Sequence, residues 1–147
     1  MIGKFNNFIQ IILVILYHIV LHYRVLKPKT KWFNKWAKKQ SIPDKQLETA
    51  IESLTKKQGS IDLGSGLFKV RTFNHGKGKS SGYRTLIVFK EHKLAIFVYG
   101  FAKNEKDNLD KDELKYFKKL SKDLLNVNHA KYNRFVELGN FILIKES

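Results

Sequence analysis

The sequence predicts an α+β domain: a small antiparallel sheet of about four strands, with two helices before it and one or two after it. Three observations lead there. The apolar pattern has a helical period up to Gly59 and changes to a period of two from Ser60. Two runs rich in β-branched and aromatic residues, "GYRTLIVFK" and "HKLAIFVYGFA", are joined by a link as short as Glu91-His92, which suits an antiparallel hairpin. The segment "NLDKDELKYFKKLSKDLLN" then returns to helical spacing.

The first element stands apart. "FIQIILVILYHIVL", Phe8 to Leu21, is the most hydrophobic stretch, but its 14 residues fall short of the roughly 20 that cross a bilayer. Extension over residues 5–23 reaches that length only by taking in Asn6, Asn7, Gln10, His18 and His22. No small-residue cleavage site follows, so it is a poor signal peptide. Were it to insert, Arg24, Lys27, Lys29 and Lys31 would hold its C-terminal end in the cytoplasm. Residues 1–26 are therefore set aside as an apolar extension, and residues 27–147 as the domain.

Within the domain, Thr30 is positioned to cap a short helix carrying Trp32, Phe33 and Trp36 on one face and Lys31, Lys35, Lys38 and Lys39 mostly on the other. Such aromatics either anchor a helix to a core or stack on bases. In "SIPDKQLETAIESLTKKQG", Ser41 is the expected cap, Asp44 completes a capping-box-like pair and Pro43 fits the first turn. Leu47, Ala50, Ile51 and Leu54 form the apolar stripe, and Gly59 is the expected stop. In "GLFKVRTF", Phe68 and Val70 alternate with Lys69 and Arg71, so both cations share a face. After the hairpin, Asp110 is the expected cap of a helix whose stripe is Leu114, Phe117, Leu120 and Leu124. A short helix between His129 and Leu138 and a strand in "NFILIKE" complete the order.

The 147 residues suffice for one compact domain and one appendage. Their 28 Lys and Arg against 13 Asp and Glu leave a formal charge of +15, which favours a polyanion or an anionic membrane surface as partner. There is no cysteine, which excludes disulfides, thiolate catalysis and Cys-ligated zinc. His18 and His22 have helical i,i+4 spacing but no nearby carboxylate, so neither a metal nor another cofactor is expected.

The cations of the predicted sheet form the candidate site. Lys69 and Arg71 lie on one strand, Arg84 on the next and Lys103 at the end of the third, with Lys77 and Lys79 in the loop before Arg84. On neighbouring strands such side chains can converge, where they repel one another unless an anion such as a phosphate joins them. Alternatively, each cation pairs with Glu91, Glu105 or Asp107, or protects a sheet edge. The residues alone leave both readings open.

"DLGSGLFKVR", "GKGKSSGYRTLIVF" and "FVYGFAKNEKDNLDKDELKYFK", taken in this order, resemble the HigB-like branch of the RelE superfamily of bacterial toxins. The resemblance runs from Lys31 to about Ser147, with "KWFNKWAKKQSIPDKQL" matching the opening helices. It implies a small twisted antiparallel sheet and a cytoplasmic, ribosome-dependent endoribonuclease that cuts mRNA in the A site without metal or cofactor. Attack by the 2′-OH would leave a 2′,3′-cyclic phosphate and a 5′-OH. A cognate antitoxin, expected to be a helix-turn-helix protein, would silence it.

Under this resemblance Arg84 stabilises the transition state, Lys69 and Arg71 match the basic pair of the preceding strand, and Lys103 matches the basic position after the third. Lys77 and Lys79 would contact RNA, and Tyr99 could stack a base. The chain departs from relatives that carry a C-terminal tyrosine proposed as general base, because "NEKDNLDKDE" has none before Tyr116. Glu105, Asp107 or a lysine of depressed pKa takes that role instead.

Two other functions compete: a non-catalytic RNA- or ribosome-binding module, and a basic protein anchored to a membrane through residues 5–23. The apolar run has no place in the family's fold, and codons common for Val25 or Leu26 can also start translation. A native start near Val25 is therefore one expectation, and a true anchor or a helix packed on the domain is the other.

Overall fold

A six-stranded sheet organises the chain, with helices packed on both of its faces. The computed structural model describes residues 2–73 and 82–145. In chain order the elements are α1 (Ile2–Tyr23), β1 (Pro28–Thr30), α2 (Lys31–Lys39), α3 (Asp44–Thr55), β2 (Ser60–Gly64), β3 (Leu67–Thr72), β4 (Tyr83–Lys90), β5 (Leu94–Ala102), α4 (Lys111–Leu125), α5 (His129–Glu137) and β6 (Phe141–Leu143). The α+β class stands, but the expected four antiparallel strands become six in the order β2-β3-β4-β5-β1-β6. The sheet is also mixed, since β1 runs parallel to β5 and antiparallel to β6.

The two additional strands are short. β1 is the tripeptide Pro-Lys-Thr, too brief to show a period, and it is a strand because β5 and β6 pair with it on either side. β2 pairs with β3 through a turn at Ser65 and Gly66, both with positive φ. A Cβ at Gly66 would meet the end of the Leu125 side chain at 2.5 Å, so Leu125 would have to shift, and the positive φ is the stronger reason for glycine here. The β4–β5 hairpin forms as expected, with His92 left-handed in its turn (φ 62°).

One face of the sheet receives α2 and α3. Phe33, Ala37, Leu47, Ala50, Ile51 and Leu54 pack there against Val70, Tyr83, Ile87 and Phe97. Trp36 lies over Gly100, where a Cβ would come within 2.2 Å of the indole. The other face is covered by α4 and α5, whose Phe117, Leu124 and Tyr132 join Leu67, Leu86, Val88, Ile96 and Val98.

Capping explains where the helices begin and end. Thr30 caps α2 by accepting from the Phe33 amide at 3.2 Å. Ser41, by contrast, does not cap α3: the cap position is Pro43, with no side-chain bond. Ser41 instead closes α2 in the left-handed conformation (φ 57°), with its amide bonded to Lys38 and that of Ile42 to Ala37. That is a Schellman ending, and it uses the residue that would have capped the next helix. Asp44 is likewise drawn away, pairing with the buried Lys29 at 2.8 Å and accepting from the Lys145 amide. α3 ends before Gly59, with Lys57 left-handed.

The apolar extension is the helix α1, and its described apolar side chains from Phe8 to Val20 are exposed. Among the described residues, no helix is long and apolar enough to cross a membrane. The chain joins the sheet at Leu26, whose amide donates to Lys93 and whose carbonyl accepts from Ala95.

Candidate functional site

Alternation along β3 puts Leu67, Lys69 and Arg71 on the face that carries α4. Register then decides which cations meet: Lys69 is opposite Leu86, and Arg71 is directly opposite Arg84. Directly opposed residues in an antiparallel pair have Cβ atoms roughly 5 Å apart, so two guanidinium groups share one small region. The helix α4 covers the Leu67–Leu86 end of this ladder and leaves the arginine end open.

The electrostatics record the crowding. Burial, and after it the nearby Arg71 charge, lower the pKa of Arg84 from its ordinary value. Arginine remains charged regardless, so the crowding destabilises the cation rather than neutralising it. Among the described residues no carboxylate pairs with Arg84; its side chain's one hydrogen bond there is a long 3.5 Å contact from Nη1 to its neighbour's carbonyl at Tyr83. Arg71 lies over the half-exposed ring of Phe73, 4.9 Å from its centroid. A Cβ on Gly82 would be 3.7 Å from Arg71 Nε and 3.9 Å from Arg84 Nη1, so the backbone at Gly82 borders both groups.

Lys69 and Lys103 lie on the rim. Lys69 Nζ donates to Asn108 Oδ1 at 2.8 Å, tying the β5–α4 loop to β3. The Lys103 amide donates to the Gly82 carbonyl at 3.1 Å, which continues the β4–β5 ladder past its last pair, and the Lys103 side chain is exposed. Glu105 and Asp107 are in the same loop, exposed, and among the described residues neither side chain has an ion pair or hydrogen bond. Lys77 and Lys79 lie outside the described residues.

A second set of charges fixes the far end of that loop. Asp110 and Glu113 form a reciprocal capping box on α4, and Glu113 also pairs with Lys106. The hydrogen bond to Glu113 raises the Lys106 pKa, while the Glu113 amide, bonded to Asp110, holds that carboxyl below its usual range. Tyr99 is half-buried in an aromatic stack, with the rings of Trp32 and Phe117 each 4.8 Å away. Its ring is packed rather than open, and the exposed member of the stack is Trp32, at 49%.

Sequence reasoning assembled Lys69, Arg71 and Arg84, and the register brings them together. It missed Phe73, Asn108 and the Lys106–Glu113 pair. Only the last had a local signal, the Asp-x-x-Glu spacing of a capping box. Asn108 is 39 residues from Lys69 and carries no mark in the sequence.

The cations occupy an open face. The cavity of about 460 Å³ lined by Lys27, Glu48, Ile51, Phe89 and His92 lies at the opposite end of β4. An open cationic face suits a polymer of phosphates better than a small enclosed substrate. Among the described residues, no group of three His, Asp or Glu side chains is arranged to hold a metal.

Residues 23–144 match the family model described as the RelE toxin of the RelE/RelB toxin–antitoxin system. No curated protein matches the chain. The family match begins where α1 ends and takes in the whole sheet with α2 to α5. The chain belongs to the RelE toxin family, and a cognate antitoxin is the partner that this family implies.

Proposed function

We propose that the protein is a metal-independent endoribonuclease that cuts mRNA in the ribosomal A site, as in the HigB-like branch of its family. The supporting observation is the opposed pair Arg71 and Arg84 on an open sheet face, with no described carboxylate to neutralise Arg84.

In this reading the scissile phosphate binds between the two guanidinium groups, each able to grip non-bridging oxygens. The 2′-oxygen attacks phosphorus, the bond to the 5′-oxygen breaks, and a 2′,3′-cyclic phosphate and a 5′-OH result. Negative charge grows on the non-bridging oxygens as the phosphorane forms, and Arg84 and Arg71 are preorganised to receive it. Lys69, held by Asn108, supports that charge from one side, and Lys103 from the other. Glu105 or Asp107, on the loop tied down by Asn108, accepts the 2′-OH proton, and the departing 5′-oxygen takes a proton from water to become the 5′-OH.

Lys77 and Lys79, which precede Arg84 in the sequence, would contact the RNA backbone. Trp32 offers the ring on which a base would stack, with Tyr99 behind it. The ribosome supplies the alignment for in-line attack that an open face lacks. The toxin would then act in the cytoplasm until a helix-turn-helix antitoxin silences it.

Incubation with programmed ribosomes tests this reading. The expected products carry 2′,3′-cyclic phosphate and 5′-OH ends, and the same mRNA without ribosomes is cut poorly. Efficient cutting of naked RNA at many positions, or 5′-phosphate ends, would contradict it.

A further inference from the structure

We propose that α1 is a membrane-surface anchor that lies in the headgroup–acyl boundary of an anionic bilayer. Between Phe8 and Val20 the apolar side chains are 40 to 64% exposed. An apolar helix this open to solvent is stable only if something else covers it.

The distribution of polar groups identifies what covers it. At 100° per residue, Asn6, Gln10 and Tyr17 fall along one line, with Asn7 and His18 beside it and Lys4 and His22 beyond them, and together they span about 160° of the circumference. The remaining sector, about 200° wide, is apolar. A second helix or a protein groove would cover a stripe of roughly 100°. Acyl chains cover a broad face while leaving the polar sector in contact with headgroups. His18 also meets part of its polar demand within the helix, its Nδ1 lying 3.0 Å from the Val14 carbonyl.

Charge identifies the kind of bilayer. No Asp or Glu precedes Asp44, and exposed Arg24, Lys31, Lys35 and Lys38 follow the apolar run closely. Each basic residue near an anionic surface adds attraction that salt screens. The anchor and the RelE-like domain meet at residues 24–26, so α1 can be held in lipid while the arginine face stays on the domain.

The full chain, mixed with vesicles of phosphatidylcholine alone or with 30% phosphatidylglycerol (about 3:7), tests the proposal by flotation. Most of the protein is expected to float with the anionic vesicles, with several-fold less on neutral ones or in 0.5 M salt. Ile12→Lys with Leu16→Lys should lower the floated fraction at least tenfold while circular dichroism stays the same. Because the chain has no cysteine, single Gln10→Cys and Ile12→Cys variants can carry an environment-sensitive dye. The dye at position 12 should report hydrocarbon, and that at position 10 the headgroup region. The proposal is overturned if the full chain stays at the bottom with every vesicle type, or if it forms a defined dimer that the double substitution dissociates without any flotation. It is also overturned if peptides from Phe8 to Arg24 are absent from the protein isolated from its native cells.

Discussion

The β3–β4 ladder has two ends built from the same two strands and the same face, yet they do opposite things. At one end Leu67 faces Val88, both fully buried beneath α4. At the other, exposed Arg71 faces half-buried Arg84, with like charges opposed. Lys69, opposite Leu86, marks the change from one to the other. The apolar end gains stability from every contact. The arginine end gains none from the juxtaposition itself, which suggests that an anion completes it.

The sharpest way to break this comparison is to truncate one residue from each end. Leu86→Ala, at a site with no exposure, should cost about 2–5 kcal/mol in stability through lost contacts and a cavity. Arg84→Ala should change stability by only about 0.5 kcal/mol, and removing a like charge can even raise it. Denaturant unfolding of both variants checks the contrast, and comparable losses would erase the distinction between the ends.

Packing on the opposite face allows a second test. Gly100→Ala places a methyl group where Trp36 lies, and overpacking of this kind should cost about 1–3 kcal/mol. The same variant with Trp36→Leu should recover part of the loss. Without that recovery, the close approach of Trp36 would not be what requires glycine at this position.

A pH series probes the loop that frames the cationic end. The Asp110 pKa is depressed in the folded chain by the bond from the Glu113 amide, so its contribution is present above the unfolded value near 3.9 and is lost as pH falls through the folded one. Thermal melts should therefore separate wild type from Asp110→Ala at pH 7 and bring the two together as pH falls below the depressed folded value.

The smallest effect concerns Tyr132, whose buried hydroxyl has no partner among the described residues and whose pKa burial raises to about 12. A raised folded pKa means stability that is complete below the unfolded value near 10 and declines as pH rises toward the folded one. Tyr132→Phe removes the unpaired group, so it should be neutral or slightly stabilising at pH 7 and should flatten the decline above pH 10. Stability measured against pH in the two proteins gives both numbers.

These contrasts also show what was legible beforehand. The strands β3, β4 and β5 and the helices α2 and α4 are long enough for period and composition to show, and alternation alone puts Lys69 and Arg71 on one face. Hairpin pairing then brings Arg84 within reach. What remained hidden depends on partners distant in sequence. β1 is a strand only because β5 and β6 flank it, and buried Lys29 depends on Asp44. Ser41 has the chemistry of a helix cap, but the ending of α2 claims it first. Asn108 becomes meaningful only when the fold brings its loop to Lys69.

Under the proposed mechanism Arg71 and Arg84 grip one phosphate together. A double-mutant cycle on single-turnover cleavage of ribosome-bound mRNA, using Arg71→Ala, Arg84→Ala and the double variant, tests it most directly. The account predicts that Arg84→Ala slows cleavage on the order of 100-fold or more, and that the double variant loses much less than the product of the two single losses. Wild-type rates from a folded Arg84→Ala protein, or losses that simply multiply, would contradict it.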